Sequence, residues 1–376
     1  MASKRKPNAD HSAPMNPDQF LALDNEAASK SPSKEFAALQ ERRRIYLAGK
    51  DNKVALDELV RRSSAARGAW EIDLPLNMAE GLPGGSAERL EVEAVARKVK
   101  RLPEPEPYRP PWLAFTPHPK IVPTGTHLLR RINGRPVEPY YGVFGSDDRV
   151  VYYPGGYPWS CIGRVEVWNN WPAGGVAWTG SGVLVGPRHV LTAGHVAPWG
   201  AGNWAMRFTP AYWDGSSAAG ASVVSYVSDY RGYNTNNNVS AWDMAVLRLY
   251  TPLGNSLGWF GSKVYNSAWE GGAYWSLAGY PGAIAGGRRP SRQTGIAVID
   301  DDSDGNALEV EHYGDISPGN SGGPFFGYWS GLPYAVGTVS GGSKTTFLWW
   351  TLEDNNVNAG GRAMVDLIRW GLSNWP

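Results

Sequence analysis

Hydrophobic and polar positions follow two different periods along this chain. Up to about residue 142 the apolar positions are sparse and fall near helical spacing. Phe36, Leu39 and Ile45 to Leu47 predict a helix over residues 33–50, with Gly49 near its end. Val54, Leu56, Leu59 and Val60 predict a second over 51–67, and Leu90, Val92, Val95 and Val99 a third over 86–101. Residues 102–120 then hold seven prolines, a density that enforces extended backbone. Beyond residue 143 the period falls to that of strands. Short apolar runs at 161–168, 181–186, 204–213, 222–228 and 244–250 alternate with Gly, Pro, Asn and Asp clusters. They continue at 273–280, 294–300, 308–314, 322–329, 335–341 and 346–352. Only residues 361–372 return to helical spacing, through Met364, Leu367, Ile368 and Leu372. Many short strands with turn residues between them predict an all-β barrel or sandwich.

Composition sharpens the division. Residues 1–142 carry 23 Lys and Arg with 18 Asp and Glu, a charged fraction of about 29%; residues 143–376 carry 13 and 17, about 13%. Sixteen of the 18 Trp lie in the second part. Two regions are therefore expected: 1–142, polar and partly helical, with 1–33 reading as disordered, and 143–376, a β domain. The net charge of +1 gives no long-range positive field, so no nucleic-acid partner is expected. No apolar run reaches 18 residues, so no membrane-spanning helix is expected. Cys161 stands alone in the sequence, which excludes an intrachain disulfide and a cysteine zinc site. With no apolar stretch after the basic amino terminus, that cysteine count slightly favours the cytoplasm.

Three motifs carry chemistry. VLTAGHVA places His195 at the end of an apolar strand, SAWDMAVLRL places Asp243 at the start of one, and GDISPGNSGGP places Ser321 in a glycine-rich turn. A serine hydroxyl attacks a carbonyl only when an imidazole takes its proton, and the imidazole needs a carboxylate to fix its tautomer. The acyl-transfer intermediate needs an oxyanion site. Gly319 is free to adopt backbone angles that aim its N–H at the same point as that of Ser321. No cofactor or metal is needed for this chemistry, and the expected partners are protein or peptide substrates.

At these residues the chain resembles the trypsin-like serine proteases, which share the order His, Asp, Ser and motifs of these three forms. VFGSDDR at 143–149 and YPWSCIGRVEV at 157–167 are similar to the mature start of the bacterial glutamyl endopeptidase-like group. The resemblance covers about 143–376 and implies two six-stranded antiparallel β-barrels, a carboxy-terminal helix, and endopeptidase activity in a cleft between the barrels. It implies a pro-segment before residue 143, and secretion as the alternative to the cytoplasm. It also implies that Ser340 supports Asp243 and, with Gly342 in the GTVSGG pattern, lines the substrate pocket. Two departures stand out. Val196 and the Gly180–Ser181 region lack the cysteines that often brace the histidine loop. Val339 replaces the histidine that glutamyl endopeptidases carry in this strand, so no preference for Glu is expected.

Other residues have competing readings. His189 reads as a turn residue; His312, on a strand near Ser321, is a candidate for lining the cleft. Asp229 is the rival of Asp243 but lacks the apolar strand after it. The resemblance implies that Asp315 forms the floor of a pocket for Arg or Lys; the alternative is that it braces its loop through backbone hydrogen bonds. Residues 300–311 match a calcium-loop pattern, yet their flanks read as strands, so an acidic hairpin is expected, with calcium on Asp300, Asp302 and Asp304 as the alternative. Residues 1–142 read equally as a pro-segment that keeps the enzyme latent or as a docking module. A binding protein built on a protease scaffold is the second functional reading.

Overall fold

The computed structural model describes residues 12–40, 84–123, 143–172, 175–234 and 240–376 except 348–349, together with the short segments 44–47, 70–73, 131–132 and 135–136. The strand periodicity translates into two antiparallel barrels. The first is built from Ile162–Trp168, Trp178–Gly186, His189–Thr192, Ala205–Pro210, Ser225–Tyr233 and Ala245–Leu249. It closes where Arg207 and Phe208 pair with Tyr226 and Ser225. Val165, Val167, Val183, Leu191, Phe208, Val246 and Leu247 are buried in its core.

The second barrel contains Trp275–Gly279, Ser291–Ile296, Val298–Asp304, Ala307–His312, Pro324–Trp329, Leu332–Phe347 and Trp350–Gly360. Ala297 alone separates the second and third of these strands. Taken as one bent strand, they let the path of pairings return on itself from Trp275–Gly279 to Pro324–Trp329. The core of this barrel is aromatic. Trp275 stacks on Phe325 at 5.5 Å, and Trp269 and Trp329 meet edge to face at 5.4 Å. Most of the described tryptophans thus fill cores or pack on other rings, as Trp168 does on Trp171 at 5.5 Å. The carboxy-terminal helix Gly361–Asn374 buries Met364, Leu367 and Ile368.

The region before residue 143 departs from its predicted elements. Residues 86–101 are not one helix: Ala87–Leu90 is a strand, and only Val92–Val99 is helical. Tertiary pairing overrides helical spacing here. The strand lies parallel to Ser225–Tyr233 and extends the first barrel's sheet. Asp229 anchors it by accepting from Ser86 N at 3.1 Å and Ser86 Oγ at 2.7 Å, so Asp229 has a structural role. The helix buries Val95 and Val99 and packs against the carboxy-terminal helix. The helix expected over 33–50 stops at Gln40, and Arg44–Leu47 instead pairs with Trp70–Asp73. Of residues 12–33, expected to be disordered, the first part lies along the second barrel, and Glu26 pairs with Phe115 of the proline-rich arm. Met15 N donates to Tyr328 O, Trp329 Nε1 donates to Ser12 O, and the Phe20 ring sits 4.9 Å from that of Tyr328. The predicted disorder of residues 1–11 and the helix over 51–67 lie outside the described residues. The proline-rich arm is extended and bonded on both sides: Tyr108 pairs with Trp259, Pro105 O accepts from Ser262 N, and Ser29 N donates to Pro111 O.

Candidate active site

Strand pairing brings His195 and Asp243 together. His189–Thr192 and Ala245–Leu249 are neighbours, with Thr192 opposite Ala245. The turn after the first strand and the turn before the second therefore emerge at the same end of the barrel. The carboxylate of Asp243 grips the histidine twice. Oδ1 accepts from the backbone N of His195 at 2.7 Å, and Oδ2 faces Nδ1 at 2.6 Å. A carboxylate only accepts, so the ring proton sits on Nδ1 and Nε2 keeps its lone pair. Gly194 leaves the space this requires, since a Cβ there would lie 3.0 Å from Asp243 Oδ1.

The second barrel supplies a third donor to the same carboxylate. Ser340 Oγ donates to Asp243 Oδ2 at 2.6 Å. Its neighbour Val339 holds the Ser321 turn, accepting from Gly322 N at 2.8 Å and donating to Gly323 O at 2.9 Å. Gly322 has φ +84° and lies against Thr192 Oγ1, Ser181 O and Ala193 N, so no side chain fits there. Ser321 O accepts from Ser181 N at 2.7 Å. These contacts set the Ser321 turn against the strand end that leads to His195. Ser321 makes no side-chain hydrogen bond to His195 among the described residues, and such contacts tighten in substrate complexes.

The turn also orients two N–H groups. Pro318 O accepts from Gly282 N at 2.7 Å, and Asn320 O accepts from Gly323 N at 2.8 Å. In a trans peptide the following N–H points the opposite way, so these bonds fix the directions of the Gly319 and Ser321 N–H groups. Gly319 has φ +101°, and its own carbonyl accepts from Ser181 Oγ at 2.6 Å.

The electrostatics follow from these contacts. Burial pushes the His195 imidazole down, but the hydrogen bond and charge of Asp243 outweigh it and raise its pKa above the ordinary value. Burial pushes the Asp243 carboxyl up, yet the hydrogen bonds from His195 and Ser340 and the charge of His195 hold it below the usual carboxylate range. The His195 side chain keeps 45% of its surface exposed, which leaves Nε2 accessible.

The remaining candidates fall elsewhere. Asp315 is buried; Oδ1 accepts from Phe144 N at 2.9 Å and Oδ2 from Asp148 N at 2.8 Å. The bracing reading describes these contacts, with both oxygens engaged by backbone. Gly342 is exposed on its strand, opposite Asn356. His312 does not line a cleft: it is fully buried, stacked on Phe325 at 4.8 Å, and burial pushes its pKa down to about 4. His189 is not a turn residue but a buried strand residue facing Trp375, with its pKa also pushed down to about 4 by burial.

The acidic segment is a hairpin of two strands turning at Gly305 and Asn306. Among the described residues no group of three ligating side chains gathers to hold a metal, and Asp300, Asp302 and Asp304 do not converge. The hairpin instead supports the Asp243 turn. Asp304 Oδ2 accepts from Trp242 Nε1 at 2.9 Å, and Glu309 Oε1 accepts from Ala241 N at 3.2 Å. The histidine turn has braces of its own. Trp199 Nε1 donates to Gly194 O at 2.8 Å and Trp178 Nε1 to Val196 O at 2.9 Å. Sequence reasoning counted these tryptophans without placing them; their positions flanking the histidine motif were the available signal.

A histidine clamped by a half-buried carboxylate, near a glycine-rich serine turn at the seam of two barrels, is the arrangement that serine peptidase chemistry needs. Residues 180–329 match the family described as trypsin-like peptidase domain. That match and the relatives support a trypsin-like serine endopeptidase. It is 26% identical over 269 residues to a glutamyl endopeptidase of Bacillus licheniformis, a match spanning 70% of this chain and 78% of that one. Among solved structures, a Glu endopeptidase is 18% identical with a TM-score of 0.48, the match covering 62% of this chain and all of the other. A thermostable serine protease from an extremophilic microorganism is 20% identical with a TM-score of 0.43, covering 58% and 98%.

Proposed function

We propose that residues 143–376 hydrolyse peptide bonds in protein or peptide substrates through Ser321, His195 and Asp243. Ser321 Oγ attacks the scissile carbonyl while His195 Nε2 takes its proton. The Gly319 and Ser321 N–H groups receive the oxyanion. His195 then protonates the leaving amine, and a water molecule releases the acyl group by the same route in reverse. The observation that carries this reading is the three-donor clamp on Asp243, which leaves His195 Nε2 as a base. A fluorophosphonate is expected to label Ser321, and Ser321→Ala is expected to lose both labelling and several orders of magnitude of turnover. Equal labelling of the two proteins would refute the assignment.

The primary pocket is proposed to favour neutral side chains. Val339 offers no positive partner to a substrate Glu, although the Bacillus licheniformis relative is a glutamyl endopeptidase. Asp315 has spent both oxygens on backbone N–H groups and is 1% exposed, so it is not available to a substrate Arg or Lys. Ser340 and Gly342 are the proposed pocket residues on the neighbouring strand. A peptide library is expected to show no enrichment of acidic or basic residues before the cut. Enrichment of Glu would overturn the Val339 argument, and enrichment of Arg or Lys the Asp315 argument.

A further inference from the structure

The charged motif Asp147-Asp148-Arg149 lies far from His195, Asp243 and Ser321 in sequence, and the catalytic reading leaves it without a role. The fold packs it beneath the nucleophile turn. The guanidinium of Arg149 is 1% exposed and is held by Asp147 in a fork, Nε to Oδ1 at 2.9 Å and Nη2 to Oδ2 at 2.6 Å. Its remaining nitrogen, Nη1, reaches the nucleophile turn. It donates to Ser317 Oγ at 2.8 Å and to Asn320 Oδ1 at 3.1 Å. The backbone N of Ser317 donates to the same Oδ1, also at 3.1 Å, and two donors on one atom fix the orientation of the amide. Asp315 completes the joint by holding the N–H groups of Phe144 and Asp148.

Asn320 lies between the two peptide planes that carry the proposed oxyanion donors. Anchoring its side chain restrains both planes at once. A buried guanidinium needs a partner at every face; Arg149 finds an anion on one side and the turn on the other. The bond it makes to Asn320 Oδ1 is charge-assisted and therefore stronger than one between neutral groups.

We infer that Arg149 is a positioning residue for the oxyanion site: its buried guanidinium, oriented by Asp147, locks Ser317 and Asn320 and so aims the Gly319 and Ser321 N–H groups. The inference rests on the catalytic reading given above. Arg149 touches no reacting atom and acts only through Ser317 and Asn320. The cation that orders the turn is a side chain within the continuous chain, so ordering does not wait for a new amino terminus at residue 143. The uncut chain is then catalytically competent, which fits a docking module better than a latent pro-segment.

The test uses the full-length protein, with its mass verified after the assay. Arg149→Met keeps the length and apolar stem of the side chain and removes the donors. Its kcat on a small chromogenic peptide is expected to fall about 10²-fold, the scale of one lost oxyanion donor, with KM little changed. Affinity for a peptide trifluoromethyl ketone, whose tetrahedral adduct needs the oxyanion donors, is expected to fall in parallel, while affinity for a product-like peptide holds. Arg149→Lys restores a charge without the fork and is expected to fall between Met and wild type. A folded Arg149→Met protein with kcat within about threefold of wild type would overturn the inference. If that variant does not fold, Arg149→Lys decides in the same way: wild-type kcat and ketone affinity overturn the inference, and a parallel loss of both supports it. An inactive full-length wild type that gains activity on cleavage near residue 142 would also overturn it. Fluorophosphonate labelling of Ser321→Ala separates the two levels. Labelling equal to wild type removes the catalytic reading and this inference together. Absence of labelling leaves the Arg149 results to judge the inference alone.

Discussion

Asp243→Asn is expected to lower kcat about 10⁴-fold while leaving the fold intact, the loss that follows when a triad histidine is left in the wrong tautomer. Asp243 receives three donors, the His195 N–H, the His195 Nδ1–H and the Ser340 hydroxyl. An amide has one acceptor oxygen and two N–H donors. If its oxygen keeps the His195 backbone and its nitrogen faces the ring, Nδ1 must accept and the proton moves to Nε2. That nitrogen then has no lone pair for the Ser321 proton. The pH dependence should change as well. In the wild type Asp243 holds the His195 pKa above its ordinary value of about 6.5, so activity should rise as pH climbs through that raised value. In the variant the raising influence of the carboxylate is gone and burial remains. Residual activity should therefore rise at lower pH than in the wild type. A pH profile of kcat/KM for both proteins checks this, and an unmoved profile would argue against His195 as the base.

A chain beginning at Val143 is expected to be far less stable than the full-length protein. The region before it supplies more than a leader. Ala87–Leu90 extends the first barrel's sheet beside Ser225–Tyr233, the strand that closes it. Val95 and Val99 pack under the carboxy-terminal helix, and Phe115 is buried against the rest of the core. Each such side chain contributes about 1.5–3 kcal/mol by burial. Three of them are a large share of a folding free energy of about 5–15 kcal/mol. Losing Ser86 also removes two donors from Asp229, which keeps Arg248, and leaves a strand edge open. The thermal midpoint of the truncated chain is expected to fall by 10 °C or more, on the scale of roughly 2–4 °C per kcal/mol for chains of this size. A chain nicked at Arg130 or Arg131 should instead elute as one particle, its two fragments held by these contacts. Equal midpoints for the truncated and full-length chains would restore the picture of a detachable pro-segment.

Much of this was legible in the residues. His195, Asp243 and Ser321 sit in motifs where the flanking apolar strand or glycine turn is itself part of the chemistry, so local pattern and function coincide. The strand runs of both barrels were visible for the same reason: period two survives wherever one face is buried. The misreadings have a common cause. Residues 86–101 alternate too weakly to mark a strand, because Ala87–Leu90 owes its conformation to partners in Ser225–Tyr233, 143 positions away in the chain. The acidic run at 300–304 reads as a hairpin and forms one, but the sequence does not reveal that Trp242 and Ser267 take Asp304 and Asp301 as acceptors. Arg149 gave no signal beyond a charge next to two others; its partners in the turn, Ser317 and Asn320, lie in another part of the chain.

The Ser340–Asp243 hydrogen bond joins groups that belong to different barrels. His195 and Asp243 come with the first barrel, and Ser321 and Ser340 with the second. During synthesis the first barrel emerges before residue 321 has been added. A half-made chain therefore holds His195 and Asp243 but not Ser321, the proposed nucleophile, and a finished chain brings all three together only once the two barrels have docked. The same division protects the protein when it loosens. Separation of the barrels draws Ser321 away from His195, so molecules exposing their own loops in that way are disarmed as cutters at the moment they become substrates.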